Sequence, residues 1–185
     1  MKKLISIIIA AIAVVIGILV LNPGKTGNQT GNPEPSPATV DTSKWKKYRN
    51  EELGFELKYP EEWHFSEREN TIVFNDKEIF FAGDTDLVFP ITIAATSDQN
   101  LGHRITAIKN TLKLQDIYEA TVTVDGISAT RIEGLVTGES LIKDNYYVGV
   151  FFNHNSSDYG ISYSQKDKYY LEVFDTILAS FNIIK

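Results

Sequence analysis

The stretch GFELKYPEEW, residues 54–63, has a residue pattern that predicts its own local structure. Apolar and charged residues alternate over its first half, which predicts a short half-buried β-strand from Phe55 to Tyr59. Pro60 has no backbone N–H to donate, so the strand ends there. Two glutamates and Trp63 follow. We interpret this corner as architecture, with Trp63 covering the core, and keep a ligand-binding turn as the alternative.

The periodicity of the remaining residues predicts more strands than helices. Strands are expected at 71–74, 78–82, 87–95, 118–124, 127–136 and 146–152, with a further strand that alternates through Tyr159, Ile161 and Tyr163. Asp125-Gly126 is the residue pair that favours a two-residue hairpin turn. In the return strand the charged Arg131 and Glu133 fall in the register of apolar residues, which suggests a β-bulge. Because the strand 146–152 is almost wholly apolar, we expect it to be central and buried.

Two segments have the 3.6-residue period of amphipathic helices. Residues 101–114 form the first, LGHRITAIKNTLKL. The closing helix follows a start signal at Ser164 and Asp167. Its apolar stripe is Tyr170, Leu171, Phe174, Ile177, Leu178 and Phe181. Strands in adjacent pairs with two helices predict an α+β fold, an antiparallel sheet packed with helices.

GFELKYPEEW resembles the opening signature of PsbP-like domains, in which an aromatic-led strand meets a proline and then a tryptophan. The Val124-Asp125-Gly126 hairpin, the apolar strand 146–152 and the ending ILASF, 177–181, are similar too. The resemblance covers residues 45–185 and implies an α/β/α sandwich with an antiparallel sheet between helices. It also implies a binding or accessory role. The role of the best-known members at photosystem II is not carried over, since no photosystem-specific element is found.

The first 21 residues predict a membrane anchor. Two lysines precede an uncharged run from Leu4 to Leu21, and these 18 residues would rise roughly 27 Å as a helix, close to the thickness of a bilayer core. A cleaved signal peptide is the alternative, but no small-x-small cleavage site follows the run. The lysines before the run place the amino terminus in the cytoplasm and the rest of the chain outside it. We therefore expect a single-pass cell-membrane protein.

Residues 22–43 are rich in glycine, proline, asparagine, serine and threonine, a composition that cannot bury enough surface to offset chain entropy. We predict a linker here, which as a coil spans on the order of 25 Å. The organisation expected is thus an anchor at 1–21, a linker at 22–43 and a globular domain at 44–185.

Composition excludes several functional classes. The chain has no cysteine, which removes disulfides, thiolate metal sites and lipoprotein acylation. The net charge is −6, and residues 1–43 carry +1, so the globular part carries −7. An acidic domain is a poor partner for nucleic acid. The expected partners are the bilayer, through residues 4–21, and an unidentified protein or small ligand.

The search for catalytic chemistry yields only weak candidates. Glu61, Glu62 and His64 are the least improbable acid–base groups, although a solvated acidic turn explains them better. His103 is expected on the exposed face of the first helix. His154 and Asp158 share a short polar loop with two serines, and neighbours in one short loop rarely achieve the geometry of a catalytic triad.

Acidic residues near the middle of the chain offer the one candidate cation site. Asp84 and Asp86, with Asp76 and Glu78 nearby, could supply oxygen ligands, but the run lacks the glycine and terminal glutamate of a calcium-binding loop. An ordinary acidic turn is the simpler interpretation. We therefore predict no catalytic, cofactor or metal residues.

The functional hypothesis from sequence is a membrane-tethered extracytoplasmic binding or accessory module. Two alternatives remain: a cell-envelope hydrolase that uses the Glu61, Glu62 and His64 group, and a structural subunit of a membrane complex. Two convergent carboxylates in a pocket would favour the hydrolase.

Overall fold

Alternating apolar residues form ten strands, and two amphipathic segments form helices, over the residues that the computed structural model describes: 40–77, 91–97, 100–140, 142–166 and 170–184. The strands are β1 Lys46–Asn50, β2 Phe55–Tyr59, β3 His64–Arg68, β4 Thr71–Asn75, β5 Ile91–Thr96, β6 Leu114–Val124, β7 Ile127–Val136, β8 Tyr146–His154, β9 Ser157–Gln165 and β10 Asn182–Ile183. The helices are α1 Leu101–Leu112 and α2 Leu171–Ala179.

The strands form two antiparallel sheets. Seven strands pair in the order β3-β4-β5-β9-β8-β7-β6, and a smaller sheet has the order β1-β2-β10. The sequence predicted a single sheet, and it missed β1, β3 and β10. Each missed strand is short or mostly exposed, so it has too few apolar residues to show the alternation of apolar and polar positions that predicts a strand.

The main core lies between one face of the large sheet and a layer made of the small sheet and α2. Alternate residues of β8 and β9 point into it, and so do Phe174 and Ile177 of α2. Phe55 of β2 stacks on Phe181 just beyond α2, with ring centroids 4.9 Å apart. The small sheet and α2 therefore share one apolar layer.

A second, smaller core lies on the opposite face of the large sheet, beneath α1. It consists of Ile105, Leu114, Ile132, Val136, Tyr147 and Phe151. Because β8 contributes buried residues to both faces, it is the central buried strand that its apolar sequence predicted. The large sheet lies between α1 and α2, in agreement with the predicted sandwich.

The opening segment folds as its sequence indicates. Tyr59 is the last residue of β2, and the Trp63 N–H donates to the Pro60 carbonyl at 3.1 Å, which closes a turn over 60–63. The Trp63 side chain is 6% exposed and belongs to the main core. The architectural interpretation of this corner is confirmed.

The β6–β7 hairpin confirms one expectation and corrects another. Asp125 and Gly126 have φ of 47° and 77°, as a type I′ turn requires, and Val124 pairs with Ile127. The bulge predicted in β7 is wrong, because the irregularity lies in β6 between Gln115 and Tyr118. Arg131 and Glu133 of β7 can occupy an apolar register because they form an ion pair with each other, and Arg131 also pairs with Asp175 of α2.

Both helices are shorter than predicted. The first ends at Leu112, because Lys113 adopts a left-handed φ of 46° and the chain enters β6 at Leu114. The second begins at Leu171 after Tyr170, with no side-chain cap. Ser164 lies in β9, so it is not the helix start that the sequence suggested.

Several predictions concern residues outside the described ranges. The strand at 78–82, the first part of the strand at 87–95, Asp167, the anchor at 1–21 and most of the linker at 22–43 are among them. Within the described ranges no helix has the length and apolar character needed to span a bilayer. The domain boundaries at 21 and 43 stay predictions.

Candidate functional site

A pocket of about 360 Å³ opens where several strands of both sheets end. We call it the strand-end pocket. Its described polar lining residues are Glu52, Asn70, Thr96, Ser97, His154, Asn155 and Ser157. Its apolar lining residues are Leu53, Ala95, Tyr159, Ile183 and Ile184, with Gly54 between them. The described lining of the pocket thus combines apolar side chains with hydrogen-bonding groups, of which Glu52 is a carboxylate.

Backbone hydrogen bonds between distant segments hold the walls of the pocket in place. The Ala95 N–H donates to the Asn70 carbonyl at 3.0 Å, and the Ile184 N–H donates to the Gly54 carbonyl at 3.0 Å. The Tyr159 hydroxyl donates to the Leu53 carbonyl at 2.7 Å. The first bond lies within the large sheet and the second beside the small sheet, while the Tyr159–Leu53 bond joins β9 of the large sheet to the β1–β2 turn of the small one.

The β8–β9 hairpin supplies the most polar wall. Asn155 and Ser156 have φ of 47° and 66°, the left-handed conformation of a tight two-residue turn. His154 and Ser157 flank that turn and are directly paired. Since paired residues share a face of a sheet, the imidazole and the hydroxyl both line the pocket.

The same alternation separates His154 from Asp158. Asp158 pairs with Asn153 and accepts a hydrogen bond from its amide at 2.9 Å, on the opposite face of the sheet. The Asp158 side chain is buried there, and it does not line the strand-end pocket. The structure therefore does not bring His154, Asp158 and a serine together as a triad.

The described lining residues of the strand-end pocket carry little formal charge. Among its described lining residues, Glu52 is the single carboxylate, and lysine and arginine are absent. Burial raises the pKa of the Tyr159 hydroxyl, so at neutral pH it remains a proton donor to Leu53. The polar groups of this described lining are mainly amides and hydroxyls, with an imidazole at His154 and a carboxylate at Glu52.

The Glu61, Glu62 and His64 group lies elsewhere and is solvent-exposed. The Glu61 carbonyl accepts a hydrogen bond from Lys46 at 2.8 Å, and neither glutamate lines the strand-end pocket. His103 is likewise exposed, on α1. The exposed positions fit the solvated turn and helix face that the sequence favoured.

Of the acidic residues proposed as cation ligands, only Asp76 lies in the described ranges. Its carboxylate accepts a hydrogen bond from the Tyr170 hydroxyl at the start of α2. Glu78, Asp84 and Asp86 lie outside those ranges. The described residues contain no group of three or more histidine or carboxylate side chains placed to hold a metal ion.

A second groove of about 360 Å³ lies beside the end of α2. We call it the α2 groove; it is lined by Thr42, Trp45, Lys58, Thr176, Ala179, Ser180 and Asn182. Its described lining includes a cation, Lys58, and no carboxylate, whereas the described lining of the strand-end pocket includes a carboxylate and no lysine or arginine. Because it has the same volume as the strand-end pocket but a different charge, substitutions in it are suitable controls for substitutions in that pocket.

Sequence reasoning missed an ion-pair cluster under α2. Arg131 donates to Glu133 and to Asp175, each at 2.6 Å, and its guanidinium lies 5.8 Å from the centroid of the Phe174 ring. The Tyr146 hydroxyl donates to Glu133. Burial, followed by the Glu133 carboxylate, raises the pKa of Tyr146 to about 12. The signal in the sequence was the pair of charges in an apolar register of β7.

Comparison with known proteins identifies the family. A family model described as PsbP-like protein matches residues 4–183. The chain belongs to the PsbP-like family. Its fold, with antiparallel sheets and two helices in the described residues, is the PsbP-like fold, as the opening segment suggested. No curated protein sequence matches the chain.

Three solved structures are similar to this PsbP-like chain. The solution structure of cyanobacterial PsbP from Synechocystis sp. PCC 6803 has 15% identity and a TM-score of 0.47, covering 83% of this chain and 99% of that one. LpqN, involved in cell envelope biogenesis of Mycobacterium tuberculosis, has 16% identity and a TM-score of 0.41, covering 71% and 83%. A Bacteroides thetaiotaomicron VPI-5482 protein has 19% identity and a TM-score of 0.44, covering 77% of this chain and 49% of that one.

The strand-end pocket could not be found from sequence. Its lining residues come from stretches more than 100 positions apart, such as Leu53 and Tyr159. None of them forms a local motif. Only the polar hairpin around His154 is recognisable in the sequence, and its residue types suggest a catalytic triad rather than one wall of a pocket.

Proposed function

We propose that this PsbP-like protein is a membrane-tethered, extracytoplasmic binding module whose strand-end pocket takes a small, neutral, hydroxyl-rich ligand of about monosaccharide size. The observation that carries the proposal is the lining of this pocket. Its volume of about 360 Å³ lies near the lower end of the roughly 300–1,000 Å³ of small-molecule sites.

The chemistry of the lining selects the ligand class. Side-chain amides at Asn70 and Asn155 each offer donors and an acceptor, and hydroxyls such as that of Ser157 offer both. A sugar ring presents the same mixture of donors and acceptors around its edge and apolar C–H groups on its faces. An inorganic anion would meet no lysine or arginine among the described lining residues.

The same lining supports binding rather than hydrolysis. Glu52 is the one carboxylate among the described lining residues, whereas glycoside hydrolysis generally uses two carboxylates across the scissile bond. Glu61 and Glu62 lie outside the pocket and do not converge with Glu52 on it. Recognition without bond cleavage is therefore the function that this geometry favours.

The cellular placement rests on the sequence. The uncharged run at 4–21, the lysines before it and the polar linker after it support a tethered domain outside the cytoplasm. Protease added to intact cells should remove the domain, while carbonate-washed membranes retain the full-length chain. Recovery of a soluble product that begins after residue 21 would show instead that the run is a cleaved signal peptide.

Isothermal titration of the purified full-length protein in detergent tests the ligand class. The probes are D-glucose, D-galactose, N-acetyl-D-glucosamine and inorganic phosphate. We expect saturable binding of at least one sugar and none of phosphate. His154→Ala and Ser157→Ala should weaken sugar binding by about tenfold or more, since each removes a hydrogen-bonding group from the pocket.

Thr176→Ala is the matched control, because Thr176 lines the α2 groove of equal volume. It should leave the affinity for sugar unchanged. Failure of all three sugars to bind would overturn the assigned ligand class. Sugar binding that depends on Thr176 but not on His154 would show that the sugar binds in the α2 groove and not in the strand-end pocket.

A further inference from the structure

The outer edge of β6 is an interaction surface that the proposed function leaves unused. β6 is the terminal strand of the seven-stranded sheet and pairs with β7 on one side. No described residue pairs with its other side. The run Tyr118–Val124 keeps one regular register with β7 throughout, from the bulge at its start to the hairpin turn at its end.

The hairpin turn determines which backbone groups of β6 face outward. In a two-residue type I′ hairpin the residues that flank the turn, Val124 and Ile127, form a hydrogen-bonded pair. Hydrogen-bonded and non-bonded pairs then alternate along the ladder. The N–H and C=O groups of Thr123, Thr121 and Glu119 therefore point away from β7 and are placed to bond another strand.

Most of this edge lacks the features that usually prevent strand addition. Natural edges carry proline, lysine or a bulge; the bulge of β6 lies between Gln115 and Tyr118, and the run 118–124 beyond it has no proline, lysine or irregular register. Glu119 carries the one charge of the run, and it forms an ion pair with Lys109 of α1. The edge is thus close to neutral and rich in valine and threonine, which favour strands.

We propose that two copies of this chain pair through β6, antiparallel, about a two-fold axis at Thr121. In this register Thr121 lies opposite Thr121 of the second copy, Tyr118 opposite Val124, Ala120 opposite Val122, and Glu119 opposite Thr123. The two large sheets then form one continuous sheet. Tyr118, 60% exposed in the single chain, gains an apolar cross-strand neighbour.

Side-chain complementarity selects a second copy in this register. With the axis at Val122, Glu119 falls opposite Asp125, and with the axis at Glu119 it falls opposite Glu119 of the second copy, so both registers juxtapose like charges. With the axis at Ala120, Val124 falls opposite Asp116 inside the bulge. The axis at Thr121 pairs the whole regular run and keeps the two Glu119 residues roughly 14 Å apart along the strands.

Disulfide trapping tests the register on the full-length chain in detergent, because the protein has no cysteine of its own. Thr121→Cys places two thiols on the axis, with Cα atoms about 5.5 Å apart, within the range that a disulfide spans. Thr123→Cys is the matched control, an exposed threonine on the same face whose copies lie roughly 14 Å apart. Oxidation should convert Thr121→Cys, and not Thr123→Cys, to a covalent dimer.

Lysine substitutions test the same geometry without cross-linking, by sedimentation velocity. Thr121→Lys sets two positive charges against each other on the axis and should weaken dimerisation by about fivefold or more. Thr123→Lys lies opposite Glu119 of the second copy and should leave the dimer intact. The inference is overturned if neither cysteine variant cross-links, if both do so equally, or if Thr121→Lys dimerises as the wild type does.

Discussion

The Trp63 indole meets the Tyr170 ring edge to face, with centroids 5.3 Å apart and an interplanar angle of 84°. This contact joins the turn after β2 to the residue that precedes α2, more than 100 positions later. The Tyr170 hydroxyl also donates to Asp76 after β4. Trp63 therefore fixes a corner at which the small sheet, the large sheet and α2 meet.

Replacing Trp63 should strongly destabilise the fold. Trp63→Ala removes a buried aromatic side chain and its ring contact with Tyr170, which should lower the free energy of unfolding by about 3–5 kcal/mol. Chemical denaturation measures this directly. Glu61→Gln and Glu62→Gln are the controls in the same turn, and as exposed substitutions they should change stability by roughly 0.5 kcal/mol or less. A Trp63→Ala protein of wild-type stability would contradict the architectural role.

Two glycines make a matched pair for testing the hairpin turn. Gly126 has a φ of 77°, so Gly126→Ala forces a side chain into the left-handed region and should cost roughly 1 kcal/mol. Gly102 lies in α1 with open space where a Cβ would be, and Gly102→Ala should stabilise by about 0.5–1 kcal/mol. Thermal melts of both variants check the signs. Stabilisation by Gly126→Ala would show that the turn conformation is wrong.

The sequence alone predicts the elements whose patterns are local. The Asp125-Gly126 turn, the strand Phe55–Tyr59 and the buried β8 are local patterns, and each was predicted. The bulge was assigned to β7 instead of β6, because two charged residues in an apolar register look the same whether the strand bulges or the charges are paired. Only the contacts of Arg131 with Asp175, 44 residues away, distinguish these cases.

The Arg131 cluster should contribute more to stability than an exposed ion pair does. Arg131→Ala leaves the Glu133 carboxylate, 16% exposed, without its partner Arg131 and removes the guanidinium over Phe174. We expect a loss of about 2–4 kcal/mol in urea denaturation, within the range for broken buried pairs after allowance for partial exposure. Lys143→Ala breaks the exposed pair with Glu139 and should have no measurable effect. Equal effects of the two variants would refute this ranking.

Alkaline pH should destabilise the protein through its tyrosines. Burial raises the pKa of Tyr48, Tyr59, Tyr146, Tyr147 and Tyr159 above the value of about 10 in an unfolded chain. The folded state then holds protons that the unfolded state releases, so their contribution to stability is complete below pH ~10 and is lost as pH rises toward the folded values.

Urea denaturation at a series of pH values measures this loss. Tyr146 has a folded pKa of about 12, so Tyr146→Phe should reduce the fall in unfolding free energy between pH ~10 and 12. Absorbance titration of tyrosinate in the folded and the urea-unfolded protein provides the reference, because the tyrosines of the folded protein should ionise at higher pH. A stability that is independent of pH over this interval would contradict the burial of these hydroxyls.

Amide chemical-shift mapping, with D-glucose, D-galactose and N-acetyl-D-glucosamine each titrated in turn, shows whether the strand-end pocket is the binding site. For at least one of these sugars we expect saturable shifts at the pocket walls, around Leu53, Ala95, His154 and Ile184, and none around Thr176 and Ser180 in the α2 groove. Shifts confined to the α2 groove, or no saturable shifts with any of the three sugars, would contradict this binding site.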